Sequence, residues 1–144
     1  MKKFEIIFYE TVRGECPIEK FLNSLDKKMR AKLVGMIEIL EEKGNMLREP
    51  YSKSLGDGIF ELRCKFGSDI TRVLYFFIYE RKIILTNGFV KKTRKTPIEQ
   101  IQKARVRRKD FVERMEKNEN IWNIKRSTNI SRYTFNTIKI KSFK

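Results

Sequence analysis

Leu55-Gly56-Asp57-Gly58-Ile59-Phe60-Glu61-Leu62-Arg63-Cys64-Lys65 opens the stretch that decides the fold, which runs on to Ala104. Phe60, Leu62 and Cys64 alternate with Glu61, Arg63 and Lys65, the period of a half-buried strand. Gly56 and Gly58 suit a tight turn before it. Phe66-Gly67-Ser68-Asp69 turns the chain again, and Ile70 to Tyr79 is nearly continuously apolar. A strand covered on both faces explains such a run. Glu80-Arg81-Lys82 makes a further turn into Ile83-Ile84-Leu85, ending near Phe89. The pattern predicts an antiparallel meander of three strands. Each carries a cation: Arg63, Arg72, and the Lys91/Lys92 pair.

Upstream, Lys3 to Tyr9 is rich in β-branched and aromatic residues and reads as a strand able to complete a four-stranded sheet. Pro17 suits the first position of a short helix carrying Phe21, Leu22 and Leu25. Asp26 is a natural N-cap for a second helix reaching about Lys43. Its Met29, Leu33, Met36, Ile37 and Leu40 recur at helical spacing, and Gly44 stops it. Downstream, Thr96-Pro97-Ile98-Glu99 predicts a helix start with a Thr cap and a capping-box Glu. That helix carries the basic run Arg105 to Lys109 and is expected to lie mostly on the surface. From Asn118 the composition turns to Asn, Ser, Thr, Ile and Lys, so the chain divides into a domain over 1–117 and a flexible basic tail over 118–144.

The 144 residues amount to one domain, with 33 Lys+Arg against 18 Asp+Glu and a formal net charge of +15. Only six of the 33 basic residues lie beyond Asn120, so the basic character does not depend on the tail. Such a balance attracts polyanions, of which nucleic acid is the commonest. Glu5 and Glu10 interrupt any apolar core of a signal peptide, and no apolar run approaches the ~20 residues of a membrane span. Cys16 and Cys64 have neither metal-site nor redox-motif spacing and are expected to be reduced packing residues. A cytoplasmic protein without membrane contact follows. The chain has no histidine, which excludes His-based acid–base catalysis, Ser-His-Asp triads and His-ligated metals.

Three motifs, in order, carry a resemblance. They are Lys53-Ser54-Leu55-Gly56-Asp57-Gly58-Ile59-Phe60-Glu61-Leu62-Arg63, then Thr71-Arg72-Val73-Leu74-Tyr75-Phe76, then Asn87-Gly88-Phe89-Val90-Lys91-Lys92-Thr93-Arg94-Lys95-Thr96-Pro97. Together they resemble the HigB branch of the RelE/ParE toxin superfamily, including its phage-derived relatives, over about residues 3–117. The resemblance implies an α+β fold, with N-terminal helices packed on a twisted, mainly antiparallel four-stranded sheet, a C-terminal helix and a concave basic surface. It implies the toxin of a type II toxin–antitoxin pair: a ribosome-dependent endoribonuclease that cuts mRNA and needs no metal or other cofactor. The implied partners are the ribosome, its mRNA and a HigA-like helix-turn-helix antitoxin, with operator DNA reached only through the antitoxin.

Cleavage at a 2′-hydroxyl needs a base, a stabiliser of the pentacovalent phosphate and an acid for the leaving 5′-oxygen. Arg63 and Arg72 suit the stabilising role, because guanidinium groups donate in pairs to phosphate and keep their charge. The expected catalytic set is Arg63, Arg72 and Lys92. Lys53, Lys91, Arg94, Lys95, Tyr79 and Asn87 are expected to hold RNA, with Tyr79 able to stack on a base. Several family members have His where this chain has Asn87, so the proton-transfer groups stay open among Tyr79, Glu61 and a lysine. Arg63 and Arg72 have another reading, as structural partners of Glu61 or Asp69 across neighbouring strands. The Lys91–Lys95 run likewise reads also as a solvated loop. Two other functions share these features: a ParE-like DNA gyrase inhibitor on the same fold, and a non-catalytic nucleic-acid-binding protein.

Overall fold

The computed structural model describes residues 3–92 and 94–117. The expected tail over 118–144 lies outside the described residues. Glu5–Phe8 forms β1, followed by α1 (Pro17–Ser24) and α2 (Lys27–Lys43). Pro17 occupies the first turn of α1. Asp26 caps α2, its Oδ1 accepting the Met29 N–H at 2.8 Å. Gly44 ends α2 at φ 54°, and its open α-carbon lets the Phe4 ring close over it; a Cβ there would lie 2.0 Å from that ring. A single 3-10 turn at Gly44–Met46 leads into β2 (Ser52–Gly56), β3 (Ile59–Phe66), β4 (Asp69–Ile78), β5 (Lys82–Lys91) and α3 (Ile98–Lys117).

The sheet has five strands in the order β1-β5-β4-β3-β2, one more than the sequence led us to expect. The extra strand is β2, which pairs antiparallel with β3 across the Gly56-Asp57-Gly58 turn. Its Ser-Lys-Ser-Leu-Gly sequence has no apolar alternation, so only the turn residues betray it. Gly56 (φ 92°), Asp57 (φ 56°) and Gly58 (φ 74°) all take left-handed conformations there. The sheet is mixed rather than purely antiparallel, because β1 runs parallel to β5.

Helices cover both faces. On the first, α1 and α2 bring Ile18, Leu22, Leu33, Ile37 and Leu40 onto Phe8, Leu62, Val73, Tyr75, Ile83 and Leu85. Tyr75 is held among Phe60 and Phe77, and its hydroxyl meets Ser52 of β2. The second face carries α3, which keeps most of its residues at the surface and packs through one narrow stripe. Ala104, Phe111 and Met115 are buried against Ile7, Phe76 and Ile84 and against Ile59 and Leu74. The basic residues of α3 reach across to the sheet. Arg107 Nη1 donates to the Thr86 carbonyl at 3.1 Å, Arg108 Nη2 meets Asp57 Oδ2 at 2.7 Å, and Arg114 donates to the Glu10 carbonyl. Tyr9 donates to Asp110 at 2.6 Å, anchoring the C-terminal half to the end of β1. Among the described residues, no helix is long and apolar enough to cross a membrane.

One irregularity positions the site. Leu74 pairs with Asn87 while Tyr75 pairs with Leu85, so Thr86 is an extra residue in β5. This bulge inverts the alternation of the strand beyond it. Gly88 and Val90 consequently face α1 and α2; a Cβ on Gly88 would lie 2.4 Å from the Phe21 ring. Asn87, Phe89 and Lys91 face the side of α3.

A candidate phosphate-binding face

The strand alternation gathers cations on the α3 side of the sheet. Lys53 of β2 stands opposite Glu61, Arg63 opposite Arg72, and Lys65 opposite Ile70, which in turn pairs with Lys91. Lys53, Arg63, Lys65, Arg72 and Lys91 thus share one face across four strands, with Glu61 the acid among them.

Glu61 organises the group. Its side chain is fully buried, and Oε1 receives Arg72 Nη1 at 2.7 Å and Arg63 Nε at 3.2 Å. Its second oxygen accepts the hydroxyl of Thr96, so Thr96 ties the β5–α3 connection to the sheet. Helix α3 accordingly starts at Ile98, with the Ile101 N–H bonded to the Pro97 carbonyl. The arginines do pair with Glu61, and their pairing leaves donors over. Arg63 uses Nε, leaving its terminal nitrogens without a protein partner among the described residues; a quarter of its side chain is exposed. Arg72 is almost wholly buried, with an Nε that has no partner among the described residues. Burial lowers the Arg72 pKa, Glu61 opposes that shift, and Arg63 adds to it. A guanidinium remains charged through such a change at neutral pH.

Lys91 is half-buried, and its ammonium titrates below the ordinary lysine value. Desolvation is the larger cause and the nearby Arg72 charge the next, with Arg63 and Lys53 contributing in the same direction. Lys92, expected to be catalytic, is exposed and lies past the end of β5. By alternation it belongs to the opposite side from Lys91. Lys53 is exposed on the same face as the arginines, and Arg94 and Lys95 are exposed in the connection to α3.

Two expected RNA contacts stand apart. Tyr79 lies beyond the end of β4, seven residues from Arg72, roughly 23 Å along an extended strand. Its hydroxyl lies 3.8 Å from Met115 Sδ, at the other end of α3. Asn87 is buried, and its amide is engaged. Nδ2 donates to Gln100 Oε1 at 2.9 Å and to the Gln100 carbonyl at 3.3 Å, while Oδ1 accepts from Thr86 at 2.7 Å. Asn87 therefore holds the bulge to α3. Of the proton-transfer candidates, Glu61 is enclosed with both oxygens occupied and Tyr79 is remote, which leaves lysine. The residues overlooked in the sequence are Lys65 and Thr96. Lys65 was legible from its two-residue spacing to Arg63; Thr96 was not, because it resembles an ordinary helix cap.

Buried Cys16 and Cys64 take no part in this face. Burial pushes the Cys16 thiol up to about 12 and raises Cys64 as well. Among the described residues, no Cys, Asp or Glu side chains gather in a group that would hold a metal ion.

No curated protein matches the chain. The profile of one family does match, described as "Phage derived protein Gp49-like (DUF891)", over residues 20–109. That span is more than half of the chain and runs from α1 into α3, taking in Glu61, both arginines and Lys91. The chain belongs to the Gp49-like family of phage derived proteins, a family of the RelE/HigB-like kind.

Proposed function

We propose that this protein is the toxin of a type II toxin–antitoxin pair, of the HigB branch, and acts as a ribosome-dependent, metal-independent mRNA endoribonuclease. Membership of the Gp49-like family supports the toxin assignment. The observation that carries the nuclease reading is the gathering of Arg63, Arg72 and Lys91 around buried Glu61, with Lys53 and Lys65 on the same face. Lone surface cations are neutralised by solvent. Here the two terminal nitrogens of the partly exposed Arg63 side chain have no protein partner among the described residues, and a phosphate supplies the missing acceptors.

In this reading the scissile phosphate sits against the terminal nitrogens of Arg63, with the Arg72 charge beside them. The 2′-oxygen attacks phosphorus, the O2′–P bond forms and the P–O5′ bond breaks. The products are a 2′,3′-cyclic phosphate and a 5′-hydroxyl. The 2′-hydroxyl proton passes to solvent, the Lys91 ammonium protonates the departing 5′-oxygen, and solvent returns a proton to Lys91. Its lowered pKa makes Lys91 a better acid than an ordinary lysine. The arginines meet the charge that grows on the phosphorane, where one well-placed donor is worth roughly 3–4 kcal/mol. The ribosome would position the message, and a HigA-like helix-turn-helix antitoxin would neutralise the protein.

Primer extension on a reporter mRNA, in a reconstituted translation reaction with and without ribosomes, tests the reading. Wild type is compared with a folded Arg63→Ala variant. Cuts at codon boundaries that need both ribosomes and Arg63 are expected. Intact message under all conditions would refute the nuclease, and a supercoiling assay would then test the gyrase alternative.

A further inference from the structure

Glu61 is an unexpected residue on a phosphate-binding face. It subtracts a charge from the field that attracts the substrate, and a buried carboxylate is costly to desolvate. An apolar side chain beside Leu74, its cross-strand neighbour, would avoid that cost. Binding alone therefore gives no reason for it.

The geometry supplies one. Arg63 and Arg72 are directly opposed on β3 and β4, an arrangement in which like charges repel. Oε1 of Glu61 takes Nε from one and Nη1 from the other, so a single atom brings two cations together and fixes which of their nitrogens remain for a ligand. Thr96 holds the other oxygen and thereby limits rotation of the carboxylate. We propose that Glu61 is a positioning residue that aligns the Arg63 and Arg72 donors for the phosphorane, with Thr96 fixing its orientation. This inference rests on the nuclease reading. It predicts that turnover depends on Glu61 although phosphate affinity does not.

Glu61→Gln separates alignment from attraction, because it keeps the shape and loses the charge. With wild-type ribosomes and mRNA, kcat should fall by about 10²-fold, the scale of a small misplacement of catalytic groups. KM should stay level or fall, since the face gains a net positive charge. Glu61→Asp restores the charge but retracts the carboxylate by a methylene, and it should not restore kcat. Nitrogen-15 relaxation of the arginine Nε–H groups gives a readout independent of cleavage. Arg63 and Arg72 should be rigid in wild type and mobile in Glu61→Gln. A wild-type kcat in Glu61→Gln, or a loss confined to KM, overturns the inference. If Glu61→Gln does not fold, Thr96→Val carries the test: a folded Thr96→Val protein with unchanged kcat overturns it. If the wild type does not cut mRNA at all, the nuclease reading has failed. The alignment is then judged by the Nε signals, and arginines left rigid in Glu61→Gln would overturn it.

Discussion

Replacing Arg72 by Met should separate what the charged group does for stability from what it does for function. Methionine keeps much of the arginine stem and removes the guanidinium that meets Glu61 at 2.7 Å. Losing one partner of a buried ion pair costs about 3–5 kcal/mol. Arg63 Nε at 3.2 Å and the Thr96 hydroxyl remain on the carboxylate, so the loss should fall near about 3 kcal/mol. In a chain of this size, that lowers Tm by roughly 10 °C. The double variant Glu61→Leu/Arg72→Met removes both charges from a site bordered by Leu74 and should lie within about 1 kcal/mol of wild type. The two substitutions are then strongly non-additive. Urea unfolding followed by far-ultraviolet circular dichroism, with matched m values, measures each stability. A cost below about 1 kcal/mol for Arg72→Met, or a double variant that loses the sum of the singles, would refute the reasoning. The double variant should also cut mRNA far more slowly than wild type, a well-folded protein that keeps Arg63 but has lost Arg72 and the carboxylate that holds the pair.

Lys91→Gln should reduce cleavage by about 10²-fold and Lys92→Gln by only a few-fold, since Lys91 alone of the two shares the arginines' face; equal losses in single-turnover assays would contradict this. Asn87→Ala should lose about 1–3 kcal/mol of stability by breaking the link between Thr86 and Gln100, while binding of a short RNA is unchanged; a binding loss at full stability would restore Asn87 as a contact. Gly88→Ala should cost about 1–3 kcal/mol by driving a methyl into Phe21, and Phe21→Leu in the same chain should recover part of it, as thermal melts would show. Alkali should unfold the protein in stages. Cys16 keeps its proton up to about 12 when folded and to 9.0 otherwise, and Tyr75 up to about 12 rather than 10.0. Stability is therefore full below pH 9 and falls as pH rises towards 12, with Tyr75 accounting for about 3 kcal/mol. In a Tm series across that range, Cys16→Ala should flatten the first part of the decline and Tyr75→Phe the second.

The apolar strands and the two N-terminal helices were legible because each has a period and a boundary residue: Asp26 before α2, Gly44 after it, and alternation along β3. β2 was hidden because it is polar, short and at the sheet edge, although Asp57-Gly58 is a hairpin signal. α3 looked solvated because its cations outnumber its apolar residues. Arg107, Arg108 and Arg114 instead reach carbonyl and carboxylate groups of the sheet and of the loops beside it, and a one-dimensional pattern does not reveal a partner 21, 51 or 104 residues away. Arg63 and Arg72 were readable as a pair because they fall on adjacent strands. Glu61 was readable as their ion-pair partner, but its burial was not; the Thr96 end of the α3 connection is what covers it.

The Thr86 bulge works as a parity bit for the second half of β5. With the bulge kept, an insertion or deletion of one residue between Asn87 and Lys91 would exchange the strand's two sides, putting Lys92 on the arginines' face and turning Lys91 away from it. Two compensating changes would restore the original reading without restoring the original sequence. Comparison of relatives by aligned column alone would then misplace the lysine that shares the arginines' face in any sequence whose bulge has moved. Counting residues from the bulge, rather than from either end of the strand, identifies the lysine on that face.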